Sequence, residues 1–166
     1  MSFNTTQIPT DDKSKFYQLL SKQTQALLSA ENNLIANAAN LSSLLFHTLI
    51  QVNWVGFYFK DGDELILGPF QGQVACTRIP IGQGEGVCGT AFSENNTLRI
   101  ADVNAFAGHI ACDTASASEI VIPLTINNKL IGVLDIDSPN LNHFDKQDQQ
   151  QLEAIAQIFC QSVAKS

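Results

Sequence analysis

Four cysteines give this chain its clearest capacity for chemistry, because a thiolate is both a nucleophile and a redox-active group. None of their spacings is CxxC, so a zinc-ribbon site is not indicated. The alternatives are buried thiols that act as small apolar side chains and reactive thiols, and the pattern leaves both open. The cysteines are Cys76, Cys88, Cys112 and Cys160, the last on the apolar part of a predicted helix, where a core position is expected.

A predicted hairpin supplies a second group with chemical potential. The alternating apolar stretch 119–137 is typical of two antiparallel strands joined by a short loop. A two-residue loop would pair Ile126 with Lys129 and would mix apolar and charged residues on one face. A three-residue loop at 127–129 instead pairs Ile126 with Leu130 and aligns the apolar residues. We therefore expect the three-residue loop.

This register brings three carboxylates together on one face of the hairpin. It places Glu119 directly across from Asp137, and Asp135 across from Val121. Opposed like charges destabilise a sheet by a few tenths to ~1 kcal/mol, so a sequence shaped for folding alone would avoid them. Clustered carboxylates bind a cation or share a proton, with one pKa raised. The alternative is a solvated strand end.

An aromatic strand is predicted at 53–60. Because strand residues alternate between the two faces, Trp54 and Tyr58 share one face, with Gly56 leaving space between them. The other face of this strand is apolar and is expected to pack against helices. The aromatic face therefore lines either a site or a second, minor core under loops.

The remaining elements must position these groups. Their order predicts an α+β fold: a single antiparallel sheet with helices packed on one face and an active-site loop region on the other. Asp145 is the expected cap of the last helix, with Asp148 in its first turn. We predict helices at 11–29, 33–50, 87–93 and 145–164, strands at 53–60, 64–67, 75–79, 98–101, 119–126 and 130–137, and a long loop at 102–118.

Composition limits the classes of function. Hydrophobic residues make up 45% of the 166 residues, which favours one domain over 1–166, with 1–10 as a flexible N-terminal segment. The net charge of −7 and the lack of a basic run argue against nucleic-acid binding. No apolar run approaches the ~18 residues of a membrane span. The N-terminus lacks a signal-peptide layout, and we expect a cytoplasmic protein.

Several motifs resemble one family. The chain is similar, from about Phe16 to Phe159, to the free methionine-(R)-sulfoxide reductases, which are GAF domains. The resemblance implies a GAF-like fold and reduction of free methionine (R)-sulfoxide. The motifs that carry it are LGPFQG (67–72), VCGTAF (87–92), GHIACDTASASEIVIPL (108–124) and IGVLDIDSP (131–139).

The resemblance implies roles for three cysteines. The nucleophile falls on Cys112 and the recycling cysteine on Cys76. Cys88 can also form a disulfide with the nucleophile. The Gly-rich segment GQGEGVCG (82–89) is longer than is usual in the family, so the choice between Cys76 and Cys88 as resolving cysteine stays open.

The resemblance also implies how the substrate is bound. Trp54 and Tyr58 would hold the methyl sulfoxide, and Glu119, Asp135 and Asp137 would bind or protonate the substrate. We expect Glu119 or Asp137 as proton donor and Asp135 at the α-ammonium group. The substrate carboxylate would meet backbone N–H groups of the 108–118 loop or hydroxyls there, such as those of Ser116 and Ser118.

The implied reaction needs neither cofactor nor metal. Attack by the nucleophile would leave a sulfenic acid, which condenses to an intramolecular disulfide. A thioredoxin-type dithiol would reset the enzyme. An edge strand or the N-terminal helices would supply the surface of a homodimer, as is common for GAF domains. The rival interpretations are a small-ligand binding module without a reaction and a metal site formed by Cys76, Cys88, Cys112 and His109.

Overall fold

The helices and strands follow one another in the predicted order across residues 8–108 and 114–164, which are the residues that the computed structural model describes. The strand expected at 75–79 begins later, at Arg78, and the strand expected to begin with 64–67 ends at Gly72. The helices are α1 (Lys13–Leu28), α2 (Leu34–Thr48), α3 (Gly86–Glu94) and α4 (Lys146–Val163), and the strands are β1 (Trp54–Asp61), β2 (Glu64–Gly72), β3 (Arg78–Pro80), β4 (Leu98–Ile100), β5 (Ser118–Ile126) and β6 (Lys129–Ser138).

The strands form one antiparallel sheet in the order β3-β2-β1-β6-β5-β4, so the predicted α+β architecture is confirmed. The long helices α1, α2 and α4 bury one face of this sheet in the main core. The short helix α3 packs on the opposite face together with the connecting segments. The sheet is therefore buried on both sides, and the second side is the one that carries the polar cluster.

The alternation in β1 separates the two cores as the sequence predicts. Val55 and Phe57 face the long helices, and the Phe57 ring lies 4.7 Å from that of Phe159 in α4, measured between ring centroids. Trp54 and Tyr58 face α3. Alternate residues of a strand point to opposite faces, so the sequence alone assigns each residue of β1 to a face. Both faces are apolar because this central strand is buried on both sides.

The loop between β5 and β6 differs from the prediction. It has two residues, Asn127 and Asn128, with φ of 49° and 61°, and Ile126 pairs with Lys129. The three-residue loop was therefore wrong. Asparagine tolerates the left-handed backbone that tight hairpin turns of this kind require, which is why two consecutive asparagines fit.

A β-bulge then restores the predicted register further along the hairpin. The pairing shifts between Leu124 and Thr125, where β6 carries an additional residue, Ile131. Beyond the bulge Ile120 pairs with Ile136, as expected from the alignment of apolar residues. The bulge thus reconciles a two-residue turn with an apolar face that would otherwise be shifted by one residue.

The start of α4 is held as predicted. The Asp145 carboxylate accepts from the Asp148 backbone N–H at 2.9 Å, and Asp148 Oδ2 accepts from the Asp145 N–H at 2.8 Å. Asp148 also accepts from the Tyr17 hydroxyl at 2.6 Å and from Lys13 Nζ at 2.7 Å, which ties α1 to α4. Within the described part of the chain, none of the helices has the length and apolar character needed to span a membrane.

The N-terminal segment expected at 1–10 lies largely outside the described residues, which begin at Ile8. The Ile8 side chain packs against the main core.

Candidate active site

The aromatic pair of β1 forms one wall of the candidate site. The rings of Trp54 and Tyr58 stack with centroids 5.9 Å apart, and Phe70 of β2 also stacks with Trp54, at 5.4 Å. Trp54 Nε1 donates to the Gln73 carbonyl at 3.1 Å, and the Tyr58 hydroxyl donates to the Cys76 carbonyl at 3.0 Å. Both polar atoms are thereby satisfied, so the rings are held rigidly in the sheet face.

Gly56 is required by this stack, although it leaves no open space. A Cβ at Gly56 would contact the Phe70 Cβ and the distal ring atoms of Trp54. The indole therefore occupies the room that the missing side chain provides. Sequence reasoning did not single out Phe70, although it lies in the LGPFQG motif that carried the resemblance.

The carboxylate cluster predicted from the hairpin is present and buried. Glu119 pairs with Asp137, and Asp135 pairs with Val121. One oxygen of each acid lies within 4.8 Å of the others, and Glu119, Asp135 and Asp137 are only 7%, 8% and 8% exposed. The alternative of a solvated strand end is wrong. Three carboxylates at this separation could hold an ammonium group or a divalent cation.

Burial sets the protonation of this cluster. It raises the pKa of Glu119 well above its ordinary value, and the neighbouring charge of Asp135 adds to the rise. It also raises the pKa of Asp135 to about 7, against the opposing hydrogen bonds from the Cys88 thiol and the Ile136 N–H. At neutral pH the cluster therefore contains both a protonated carboxylic acid and a partly ionised carboxylate.

Cys88 contacts one acid of this cluster. Its Sγ is 3.4 Å from Asp135 Oδ2, and its thiol is free and buried. Burial raises the pKa of Cys88 well above its ordinary value, and the charges of Asp135 and Glu119 act in the same direction. Cys88 is therefore a protonated thiol, which is a poor nucleophile.

The Gly-rich segment fixes α3, and thus Cys88, against the sheet. Gly86 has a φ of 70°, and its N–H donates to the Gly108 carbonyl at 2.9 Å. A Cβ at Gly89 would contact the Pro80 carbonyl oxygen, so only glycine permits this approach of α3 to β3. The Thr90 hydroxyl adds a bond to the Gly86 carbonyl at 2.7 Å.

The other cysteines have different environments. Cys76, in the segment between β2 and β3, is disulfide-bonded. Cys160 is a free thiol in the core beside the long helices, as predicted, and burial raises its pKa to about 11. The predicted nucleophile Cys112 lies outside the described residues, as does His109. In this disulfide form Cys76 has no thiolate to offer to the rival metal site.

The loop hydroxyls considered for the substrate carboxylate have structural partners. Ser118 Oγ donates to the Asn140 carbonyl at 2.6 Å and accepts from the His143 N–H at 3.3 Å, so it anchors the start of β5. Ser116 Oγ accepts from Asn53 Nδ2 at 3.2 Å. The Ser118 hydroxyl is therefore used in structural hydrogen bonds. Asn53 is a further polar residue near the site, and no pattern in the sequence indicated it.

Comparison with known proteins agrees with this fold. The GAF domain family model matches residues 34–163, so the chain is a GAF domain. The free methionine-R-sulfoxide reductase of Escherichia coli is 50% identical over 148 residues, which cover 89% of this chain and 88% of that protein.

Two solved structures extend the likeness. Staphylococcus aureus fRMsr in complex with substrate has a TM-score of 0.85 and 51% identity, and the match covers 96% of this chain and 100% of that one. The Neisseria meningitidis free methionine-R-sulfoxide reductase in complex with its substrate has a TM-score of 0.90 and 39% identity, over 98% of both chains. Within the GAF domains, this chain belongs to the free methionine-R-sulfoxide reductase family.

Proposed function

We propose that this protein reduces free methionine (R)-sulfoxide to methionine. The observation that carries the proposal is the buried cluster of Glu119, Asp135 and Asp137 on the same sheet face as Trp54 and Tyr58. A zwitterionic amino acid with a methyl sulfoxide needs both halves of such a site. The similarity to reductases in complex with substrate supports the same conclusion.

The aromatic wall suits the methyl group and the acids suit the polar groups of the substrate. Trp54 and Tyr58 are buried and hydrogen-bonded, so they offer a rigid apolar surface to the methyl sulfoxide. Asp135, ionised above pH about 7, attracts the α-ammonium group. A peptide-bound substrate lacks this ammonium charge, which accounts for selection of the free amino acid.

The chemical step combines a thiolate with a proton donor. The Cys112 thiolate attacks the sulfoxide sulfur, and Glu119, kept protonated by its raised pKa, gives its proton to the sulfoxide oxygen. The oxygen is transferred to Cys112, which becomes a sulfenic acid, and methionine is released. Carboxylate Glu119 then recovers a proton from solvent.

We propose Cys76 as the resolving residue. Its thiol condenses with the sulfenic acid to give a disulfide and one water, and an external dithiol of the thioredoxin type then reduces the disulfide by exchange. The bonding state of the cysteines supports this choice: Cys76 is disulfide-bonded, whereas Cys88 is a buried free thiol of raised pKa.

Counting thiols tests the proposed reaction directly. Reduced protein is incubated separately with free methionine (R)-sulfoxide, with the free (S) epimer and with a peptide-bound sulfoxide. We expect loss of two thiols per chain and formation of methionine with the free (R) epimer only. No thiol loss with that epimer would disprove the reductase, and equal loss with the peptide would disprove recognition of the free ammonium group.

A further inference from the structure

Cys88 has no bond-making role in the reaction proposed above, yet its thiol points at a substrate-binding carboxylate. We infer that Cys88 is a positioning residue that holds Asp135 in its ionised form through an S–H···O hydrogen bond, and so sets the affinity for the substrate ammonium group. The inference rests on the proposed function for its consequence, but the hydrogen bond can be tested without the reaction.

The Cys88 thiol lies within hydrogen-bond distance of the Asp135 carboxylate. Cys88 Sγ lies 3.4 Å from Asp135 Oδ2, within the range of a hydrogen bond to sulfur. Both residues are more than nine-tenths buried, at 5% and 8% exposure. Asp135 Oδ1 has no hydrogen-bond partner among the residues that the structure describes. The thiol and the Ile136 backbone N–H are therefore the groups that favour the charged carboxylate.

The surroundings of Asp135 make its ionisation sensitive to this hydrogen bond. Glu119 of β5, Asp137 of β6 and Tyr58 of β1 face it, and none of them is a cation. Residues 109–113 lie outside the residues that the structure describes. Burial opposes ionisation of Asp135, so a single donor shifts the balance between its neutral and charged forms.

The donor is held in place by the backbone. The close approach of Gly89 to the Pro80 carbonyl and the positive φ of Gly86 fix the start of α3. Cys88 is therefore not a flexible residue that approaches the acid by chance. A serine at 88 keeps a donor on a shorter bond, and an alanine removes it with little change in the fold.

The expected effect depends on pH in a defined direction. Removing the donor raises the pKa of Asp135, so less carboxylate is ionised near pH 7. For Cys88→Ala we expect binding of free methionine, used as a non-reacting ligand, to weaken about 3- to 10-fold at pH 7. The loss should disappear near pH 9, where Asp135 is ionised in both proteins. Cys88→Ser should recover part of the affinity.

The experiment measures methionine binding by calorimetry from pH 6 to 9 and the titration of Asp135 by carboxyl ¹³C NMR, with Asp135→Asn giving the assignment. Cys160→Ala is the matched control, because it removes a buried free thiol on the other side of the sheet. Circular dichroism establishes that each variant is folded. We expect the Asp135 midpoint to rise in Cys88→Ala and to stay in place in Cys160→Ala.

Three outcomes would overturn the inference. An unchanged Asp135 midpoint in Cys88→Ala would exclude the hydrogen bond. A loss of affinity that is equal at every pH would show a packing role. Accumulation of a sulfenic acid in Cys88→Ala, trapped by dimedone, would show that Cys88 is the resolving cysteine. Failure of the wild-type protein to reduce the sulfoxide would instead refute the proposed function. The hydrogen bond between Cys88 and Asp135 would then still be tested by the NMR titration of Asp135.

Discussion

Glu119 of β5 lies directly across from Asp137 of β6 in an antiparallel pair, and both side chains are buried. Opposed carboxylates in a sheet cost stability, and burial increases the cost unless a proton is retained. The raised pKa of Glu119 shows how the protein resolves this conflict, since a neutral acid removes the repulsion. The same retained proton is the one that the proposed reduction of the sulfoxide uses.

Glu119→Gln should therefore separate stability from chemistry. We expect single-turnover formation of methionine by the reduced protein to slow by about 100-fold or more, since the proposed proton donor is lost. The free energy of unfolding should stay the same or rise, because the amide is neutral and of similar size. Rapid-quench analysis of methionine and urea denaturation measure the two effects.

The pH profile of the same step gives a second test. As the proposed donor Glu119 must be protonated, so the wild-type rate should fall as pH rises through its raised pKa. This alkaline decline should vanish in Glu119→Gln, and Asp137→Asn is the matched variant across the strand pair. A decline that survives in Glu119→Gln and disappears in Asp137→Asn would assign the donor to Asp137.

Cys76→Ser should allow formation of the first methionine but prevent repeated turnover. We expect one equivalent of methionine at near wild-type rate, followed by a sulfenic acid that dimedone traps at Cys112, because the remaining thiol near the site, Cys88, is buried and protonated and is a poor nucleophile. Thioredoxin-driven turnover should be lost. Mass spectrometry of the labelled peptides gives the answer, with Cys160→Ser as control. A disulfide between Cys88 and Cys112 with sustained turnover would contradict the assignment.

The carboxylate cluster should make the fold less stable as the pH rises. The pKa of Asp135 is about 7 in the folded protein and near 3.8 when exposed, so its contribution to stability is present below about pH 4 and is lost as the pH rises through 7. The difference corresponds to roughly 4 kcal/mol. The change in unfolding free energy between pH 5 and pH 8 should be smaller in Asp135→Asn than in wild type, as measured with urea. Equal changes would refute the raised pKa.

Gly56→Ala should disturb the aromatic wall. The added Cβ would overlap Phe70 and Trp54, so we expect a loss of about 1–3 kcal/mol in stability and weaker methionine binding. Trp54 is the chain's single tryptophan and is only 2% exposed, so its emission should shift to longer wavelength. Gly62→Asn, at an open turn with φ of 64°, is the control. Unchanged emission in Gly56→Ala would show that the stack can adapt.

Local patterns in the sequence determined much of the fold and half of the site. The alternation of β1 placed Trp54 and Tyr58 on one face, and the alignment of apolar residues placed Glu119 opposite Asp137. Such patterns succeed because side chains of neighbouring strands share a face at a fixed period. The same reasoning gave the wrong length for the turn between β5 and β6. A β-bulge adds one residue to β6, and the period-two pattern does not reveal it.

Tertiary structure alone decided the environment of the site residues. Cys88 and Asp135 are 47 residues apart, and only the packing of α3 on the sheet brings the thiol to the carboxylate. The same packing buries the acids, and burial rather than residue type raises the pKa of Glu119 and Asp135. The sequence by itself determined which groups could act. Their desolvation and contacts depend on long-range packing, so the fold decided which acid keeps its proton and which thiol lies beside the carboxylate.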